Sequence, residues 1–447
     1  MSRWTLERRL LAASVVAWVV TAIVNLVTDP SLGYDESAFA TVARGDDTPN
    51  WLYRSRGVTT LAQLGIALGG GEWALRLPFV VIGLGLPLAV YALGRAAFDA
   101  RTGAWAAAVI ATGHQMLGRN AHVLGDVPSA LGVVAGLAIV VGELSREEGP
   151  RRRLLLAAPA FAFAFYMRYG SAPVIAIAAV LGPLVWFRTA RRSPGIVFAT
   201  GALLALLLVP HVVHSLAQTD SVLGVLRFSA GVPRREYVGE GLVTYVTSNP
   251  FRYYGLLVAP CLVAGLAGIV LRRRAPAYLV AVAVAQIVII GLQSHAQPRY
   301  VFVAVAILVV VGVGAISAVM PRASPRITLV VLAATWLWST RWIVRTNTKL
   351  TETRESIVAA ADAIRRDANG PCIVLATSLP QVLWYSGCRT GRWYYDLDEG
   401  ALSPARRRYL VETPAGYPVD PQWAIDHAVK LRELPTGHAK SRVWRVD

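Results

Sequence analysis

The chain is short of acid. It has 27 Asp and Glu against 44 Lys and Arg in 447 residues, a formal net charge of +17. That balance first suggests nucleic acid. The arginines, however, form short clusters between apolar runs, and no module interleaving basic with aromatic residues is present, so nucleic-acid binding is set aside. Cysteine is scarce as well. Cys261 sits in an apolar run, while Cys372 and Cys388 lie in a polar C-terminal stretch, with no CxxC or His-rich signature that would mark a metal site.

Apolar residues are abundant. They make up 55% of the chain, and the mean hydropathy is +0.48, above the usual share for a soluble domain. They come in blocks such as VVIGLGLPLAVYALG, not in the amphipathic periodicity of a soluble enzyme. Arg3, Arg8 and Arg9 precede the first run as in a signal peptide. No small-residue cleavage pattern follows it, so the run reads as a retained signal anchor.

The pattern predicts a polytopic α-helical membrane protein with about eleven spans, at 10–27, 76–94, 103–118, 127–143, 154–167, 171–187, 195–215, 254–271, 277–292, 299–319 and 326–342. With the N-terminus in the cytoplasm, alternate segments carry Arg3, Arg8 and Arg9; Arg95 and Arg101; Arg146 and Arg151 to Arg153; Arg188, Arg191 and Arg192; Arg272 to Arg274; and Arg322 and Arg326. The cationic face is therefore cytoplasmic, in the plasma (inner) membrane, and the first loop, 28–75, is extracytoplasmic. An odd number of spans puts the C-terminal part outside too. The expected domains are a transmembrane part, 1–342, and a small extracytoplasmic α/β domain, 343–447. In the latter, TETRESIVAAADAIRRDA, SPARRRYLVE and DPQWAIDHAVKLREL read as helices, and PCIVLATS and SRVWRV as strands. An extracytoplasmic placement allows a disulfide between Cys372 and Cys388; two unrelated thiols are the alternative.

No Asp, Glu, Lys or Arg lies deep inside a span; His114, His211 and His214 fall within spans, near outer ends. A buried charged pathway of the kind that ion-coupled transporters carry is missing from this pattern, which disfavours a transporter or flippase. Charge gathers instead at the outer span ends. The first loop has Asp35, Glu36, Arg44, Asp46, Asp47, Arg54 and Arg56; the second has Arg119, His122 and Asp126; Arg168 ends the fifth span; and His295 and Arg299 precede the tenth. A non-catalytic scaffold presenting the C-terminal domain would not explain why acids recur there. Simpler readings stand beside the functional ones. Asp35 and Asp126 are placed to cap helices, Arg168 and Arg299 to snorkel to lipid headgroups, Arg54 and Arg56 to be solvated loop charge, the histidines to be polar packing, and Asp46 and Asp47 to form a turn.

Taken in order, the segments YDESAFATVARG, WALRLPFVVIGLGLPLAVYALG, GRNAHVLGDVPSALGVV, AFAFYMRYGSAPV and QPRYVFVAVAIL resemble the GT-C superfamily of membrane glycosyltransferases. The similarity is to the branch of protein O-mannosyltransferases and aminoarabinose transferases, and covers about residues 5–320. It implies a GT-C fold and a polyprenyl-phosphate-linked sugar donor. It also implies a catalytic role for Asp35, supported by Glu36, with Asp126 as a second acidic position. Arg168 stands where relatives often carry a lysine, and Arg299 with Tyr300 matches an Arg-Tyr pair near the carrier phosphate. Arg54, Arg56, Arg119 and His122 complete the candidate substrate-binding set. Relatives often have a Pro-Pro-Leu stretch where this chain reads YRSRGVTTLAQL, so the choice between Arg54 and Arg56 stays open. The acceptor, whether lipid, glycan or protein, stays open, as does the use of a divalent metal. A lipid-linked glycan ligase or polymerase is the nearest enzymatic alternative.

Overall fold

A computed structural model describes residues 5–46, 54–149, 151–231, 236–271, 273–320, 325–376, 379–390, 407–413, 431–438 and 440–446. The chain forms two compact units. One comprises Met1–Val24, Ser55–Val58 and Phe79–Ile343; the other comprises Asn25–Arg54, Thr59–Pro78 and Val344–Asp447.

The protein crosses the membrane several times. Among the described residues, seven helices are long and apolar enough to do so: Leu6–Thr28, Glu72–Ala97, Asp126–Leu144, Pro194–Thr219, Arg274–Gln293, Pro298–Val319 and Arg326–Ala368. All eleven expected segments are helical, but the count of eleven spans is not reproduced. Tyr169–Val185 and Val258–Leu271 are shorter apolar helices, and Ala100–Ile110 and Ala157–Met167 have only 11 residues each. A bilayer core takes about 20 residues of helix. The segment expected at 103–118 stops early because the Thr112 hydroxyl turns back to the Val109 carbonyl (2.7 Å) and a turn through Gly113 starts a new short helix at His114.

In the first unit, Phe302–Val319 is the central helix. Its residues 302–314 are buried without interruption, as expected of a helix that is apolar all round. Gly265 and Gly312 lie where a Cβ would run into the backbone of the facing helix, so Val258–Ala267 and Phe302–Val319 approach closely.

Among the described residues, the second unit contains a five-stranded mixed sheet in the order β2-β1-β3-β5-β4. Its strands are β1 (Cys372–Ala376), β2 (Arg389–Thr390), β3 (Arg407–Glu412), β4 (Leu431–Leu434) and β5 (Arg442–Val446). β1 runs parallel to β2 and β3, and β5 pairs antiparallel with β3 and β4. Ile357, Ala360 and Ile364 of the long helix Pro325–Ala368, Val382 and Leu383 of the helix Leu379–Ser386, and Tyr409, Val411 and Val443 of the sheet share one core. Cys372 and Cys388 are joined by a disulfide.

Three readings of this region change. TETRESIVAAADAIRRDA is not a separate helix; it continues the last span as one helix of 44 residues. No Gly or Pro interrupts the chain between Arg326 and Ala368, so the backbone has no reason to stop where the side chains turn polar. Residues 407–412 are strand β3, because pairing on both edges, to β1 and β5, overrides their helical composition. Residues 431–434 are strand β4; the rest of that expected helix, 420–430, lies outside the described residues, as do residues 403–406.

Candidate active site

The acid pair opens the helix Tyr34–Ala43. Its N-cap is Gly33, not Asp35. The Glu36 carboxylate accepts from the Gly33 amide (2.9 Å), the glutamate half of a capping box, made from the third helical position. Both acids lie in the first turn, where the helix dipole favours negative charge.

The two carboxylates then part ways. Arg76 grips Glu36 with a two-pronged pair, Nε to Oε1 and Nη2 to Oε2, each 2.9 Å. The same guanidinium donates to the carbonyls of Asp29 and Ser31 and lies 3.7 Å from the Asp29 carboxylate. Arg354 closes the network by pairing with Asp29. Asp35 pairs instead with Arg54, Nη1 to Oδ1 at 2.9 Å, and Arg54 lies 5.1 Å over the Phe39 ring. The Asp35 side chain keeps 29% of its surface, whereas that of Glu36 keeps 3%. Arg54 thus stands at the acid pair. The Arg56 side chain is exposed, and its backbone amide donates to the Tyr169 hydroxyl (3.3 Å). Arg44 and Asp46 pair with each other, and Asp47 lies outside the described residues.

A second charged group forms within the helical unit. Asp126 is the first residue of its helix and not its N-cap, which is Gly125. Its buried carboxylate pairs with Arg168 and lies 4.0 Å from Arg299. Tyr300 sits beneath both guanidiniums, 4.6 Å from that of Arg168 and 5.6 Å from that of Arg299. Arg299 donates to Gln297 Oε1 (2.6 Å), Gln297 contacts His295 (3.0 Å), and the Tyr245 hydroxyl donates to the Gln297 carbonyl (3.2 Å). Burial, helped by Tyr253, pushes the Tyr245 phenol up, so it stays a neutral donor. Two arginines flank this carboxylate above one aromatic ring. His122 is buried and Arg119 half-buried in the turn between Leu117 and Asp126, away from helix interiors.

Sequence reasoning missed Arg76, Asp29 and Arg354. Arg76 lies inside the LRLP stretch, where it reads as the start of a span; its pairing with Glu36 leaves no local spacing signal across 40 residues. Asp29 and Arg354 are 325 residues apart.

Residues 57–214 match the family model described as dolichyl-phosphate-mannose-protein mannosyltransferase. The structure superposes on ArnT from Cupriavidus metallidurans bound to undecaprenyl phosphate with a TM-score of 0.73, at 13% identity, over 98% of this chain and 97% of that one. The chain has the GT-C fold. Apo ArnT from the same organism gives 0.71 at 14% identity, again over 98% and 97%. The archaeal oligosaccharyltransferase AglB from Archaeoglobus fulgidus, in complex with an inhibitory peptide and a dolichol-phosphate, gives 0.52 at 13% identity, over 84% of this chain and 64% of that one. No curated protein sequence matches.

Proposed function

We propose that this chain is an integral-membrane glycosyltransferase that moves a sugar from a polyprenyl-phosphate donor to an acceptor hydroxyl, with inversion and with Asp35 as general base. The family match and the carrier lipids held by the ArnT and AglB structures support the donor class. A polyprenyl phosphate leaves as a stabilised anion and needs little acid help. The acceptor is the reluctant partner. As its oxygen bonds to the anomeric carbon, the C–O bond to the phosphate breaks with its electron pair, and the acceptor proton passes to a carboxylate. A positioned base contributes about 10²–10⁴-fold.

The division of labour in the acid pair carries this reading. Glu36 has both oxygens engaged and caps its own helix, a support role. Asp35 is the more exposed of the two and pairs with Arg54, a placement that suits a base. Arg168 and Arg299, with Tyr300 beneath them, suit the carrier phosphate and offset the charge that grows on it. The seventeen arginines that alternate along the chain support a placement of these groups on the extracytoplasmic face of the plasma (inner) membrane, with the N-terminus cytoplasmic. We assign the transmembrane part to 1–342 and the extracytoplasmic α/β domain to 343–447.

The test is to feed membranes a panel of radiolabelled polyprenyl-phosphate sugars and to determine the anomeric configuration of the labelled product. An inverted product from one such donor is expected. A retained configuration would exclude the single displacement, and labelling only from pyrophosphate-linked glycans would favour a ligase or polymerase.

A further inference from the structure

The acidic helix is gripped at both ends by one short helix of the C-terminal domain. Before its N-cap, the main chain of Leu32 is held on both sides. Its amide donates to the Tyr385 hydroxyl (2.8 Å), and its carbonyl accepts from Gln381 Nε2 (3.0 Å). Leu32 is fully buried and Gln381 nearly so. At the other end, Arg44 is the C-cap of the acidic helix, and its guanidinium donates to the carbonyls of Leu383 and Trp384 (both 3.1 Å) while lying 4.9 Å from the Trp384 ring. Between them, the Thr41 hydroxyl lies 3.5 Å from the Pro380 carbonyl. All these partners fall in Leu379–Ser386 or immediately beside it. That helix lies in the loop closed by the Cys372–Cys388 disulfide, with β1 before it and β2 after it.

Such a grip is more than a loop needs to find a resting place. Arg44 completes two of the last carbonyls of Leu379–Ser386, where a cation suits the helix dipole. Burial, with Glu72 and Glu36 nearby, pushes the Tyr385 phenol up, so its hydroxyl keeps its proton at any physiological pH. The contacts act on backbone atoms, and so fix where the helix begins and ends whatever substrate is present.

We infer that the helix Leu379–Ser386 is a positioning element for Asp35, and that Tyr385, Gln381 and Arg44 make the C-terminal domain part of the transfer machinery, not an appended module. This rests on the reading of Asp35 as the base. A misplacement of about 1 Å at a reacting group costs up to roughly 10²-fold in rate, and the acidic helix has only ten residues through which to hold its register.

The experiment uses the full chain, purified, with turnover normalised to folded protein and kcat separated from the KM for the lipid donor. Tyr385→Phe and Arg44→Ala are each expected to lower kcat by roughly ten- to a hundredfold with donor KM unchanged. Arg44→Lys, which still reaches a carbonyl, is expected to recover part of the loss. A role in folding alone would change the yield of folded protein and leave kcat per folded molecule as it was. If Tyr385→Phe does not fold, the Arg44 pair carries the test. Wild-type kcat in folded Tyr385→Phe or Arg44→Ala, with Asp35→Asn inactive, would overturn the positioning role alone. Wild-type turnover in Asp35→Asn would overturn the base reading, and this inference with it.

Discussion

The charged groups around Glu36 and around Asp126 are built on opposite principles. In the first, Asp29, Asp35 and Glu36 meet Arg54, Arg76 and Arg354, three against three, and Arg76 and Glu36 are almost fully buried. In the second, two arginines face one carboxylate, and Arg168 keeps 28% of its side chain exposed. An interlocked, buried set of carboxylates and guanidiniums fixes geometry. Two guanidiniums over an aromatic face suit an anion. The contrast suggests why a chain poor in acid concentrates it beside the first span: there the carboxylates are structural partners as well as candidate reagents.

The sharpest way to break this contrast is Arg76→Ala. It leaves Glu36 buried without its guanidinium, and loss of one partner of a buried pair costs about 3–5 kcal/mol. Folded protein should fall severely, measured by thermal unfolding in detergent, while Arg168→Ala, which leaves the Asp126 carboxylate Arg299 at 4.0 Å, should lower the melting transition less. Equal melting of both variants would erase the distinction. A smaller effect is expected on reducing the Cys372–Cys388 bond. A loop of this length is worth about 3 kcal/mol, so thiol treatment should lower the unfolding temperature, as read by differential scanning calorimetry. Smaller again is Arg299→Ala. Loss of a charge-assisted contact of about 1.5–3 kcal/mol should raise the KM for the lipid donor by roughly ten- to a hundredfold with stability unchanged. Arg299→Lys should recover only part, because an ammonium lacks the planar fork.

Much of this was legible in the sequence, for physical reasons. Apolar runs of spanning length and alternating arginine clusters are signals the bilayer itself imposes, so the multi-pass helical architecture could be read directly. Arg299 and the Asp35-Glu36 pair stood out because charge is rare beside apolar runs, whereas Tyr300 entered only through the family resemblance. β1 and β5 were readable as β-rich runs, whereas β3 was not: RRRYLVE has helical composition, and only its two sheet partners make it a strand. The Arg76–Glu36 and Arg354–Asp29 pairs lie 40 and 325 residues apart. No periodicity reports contacts at such separations. The capping role of Glu36 was readable in principle, since a Glu three residues after an extended glycine is a helix-start pattern, but the adjacent Asp35 competed for it.

Asp35→Asn is the most direct measurement, because it preserves the shape of the side chain and a hydrogen-bonding oxygen while removing the basic carboxylate. Transfer from a polyprenyl-phosphate sugar to acceptor would be measured per folded molecule, beside Glu36→Gln. The account predicts that Asp35→Asn inserts and folds as wild type yet loses turnover by about 10²–10⁴-fold, with Glu36→Gln less impaired in turnover. Transfer by Asp35→Asn at near the wild-type rate would contradict it.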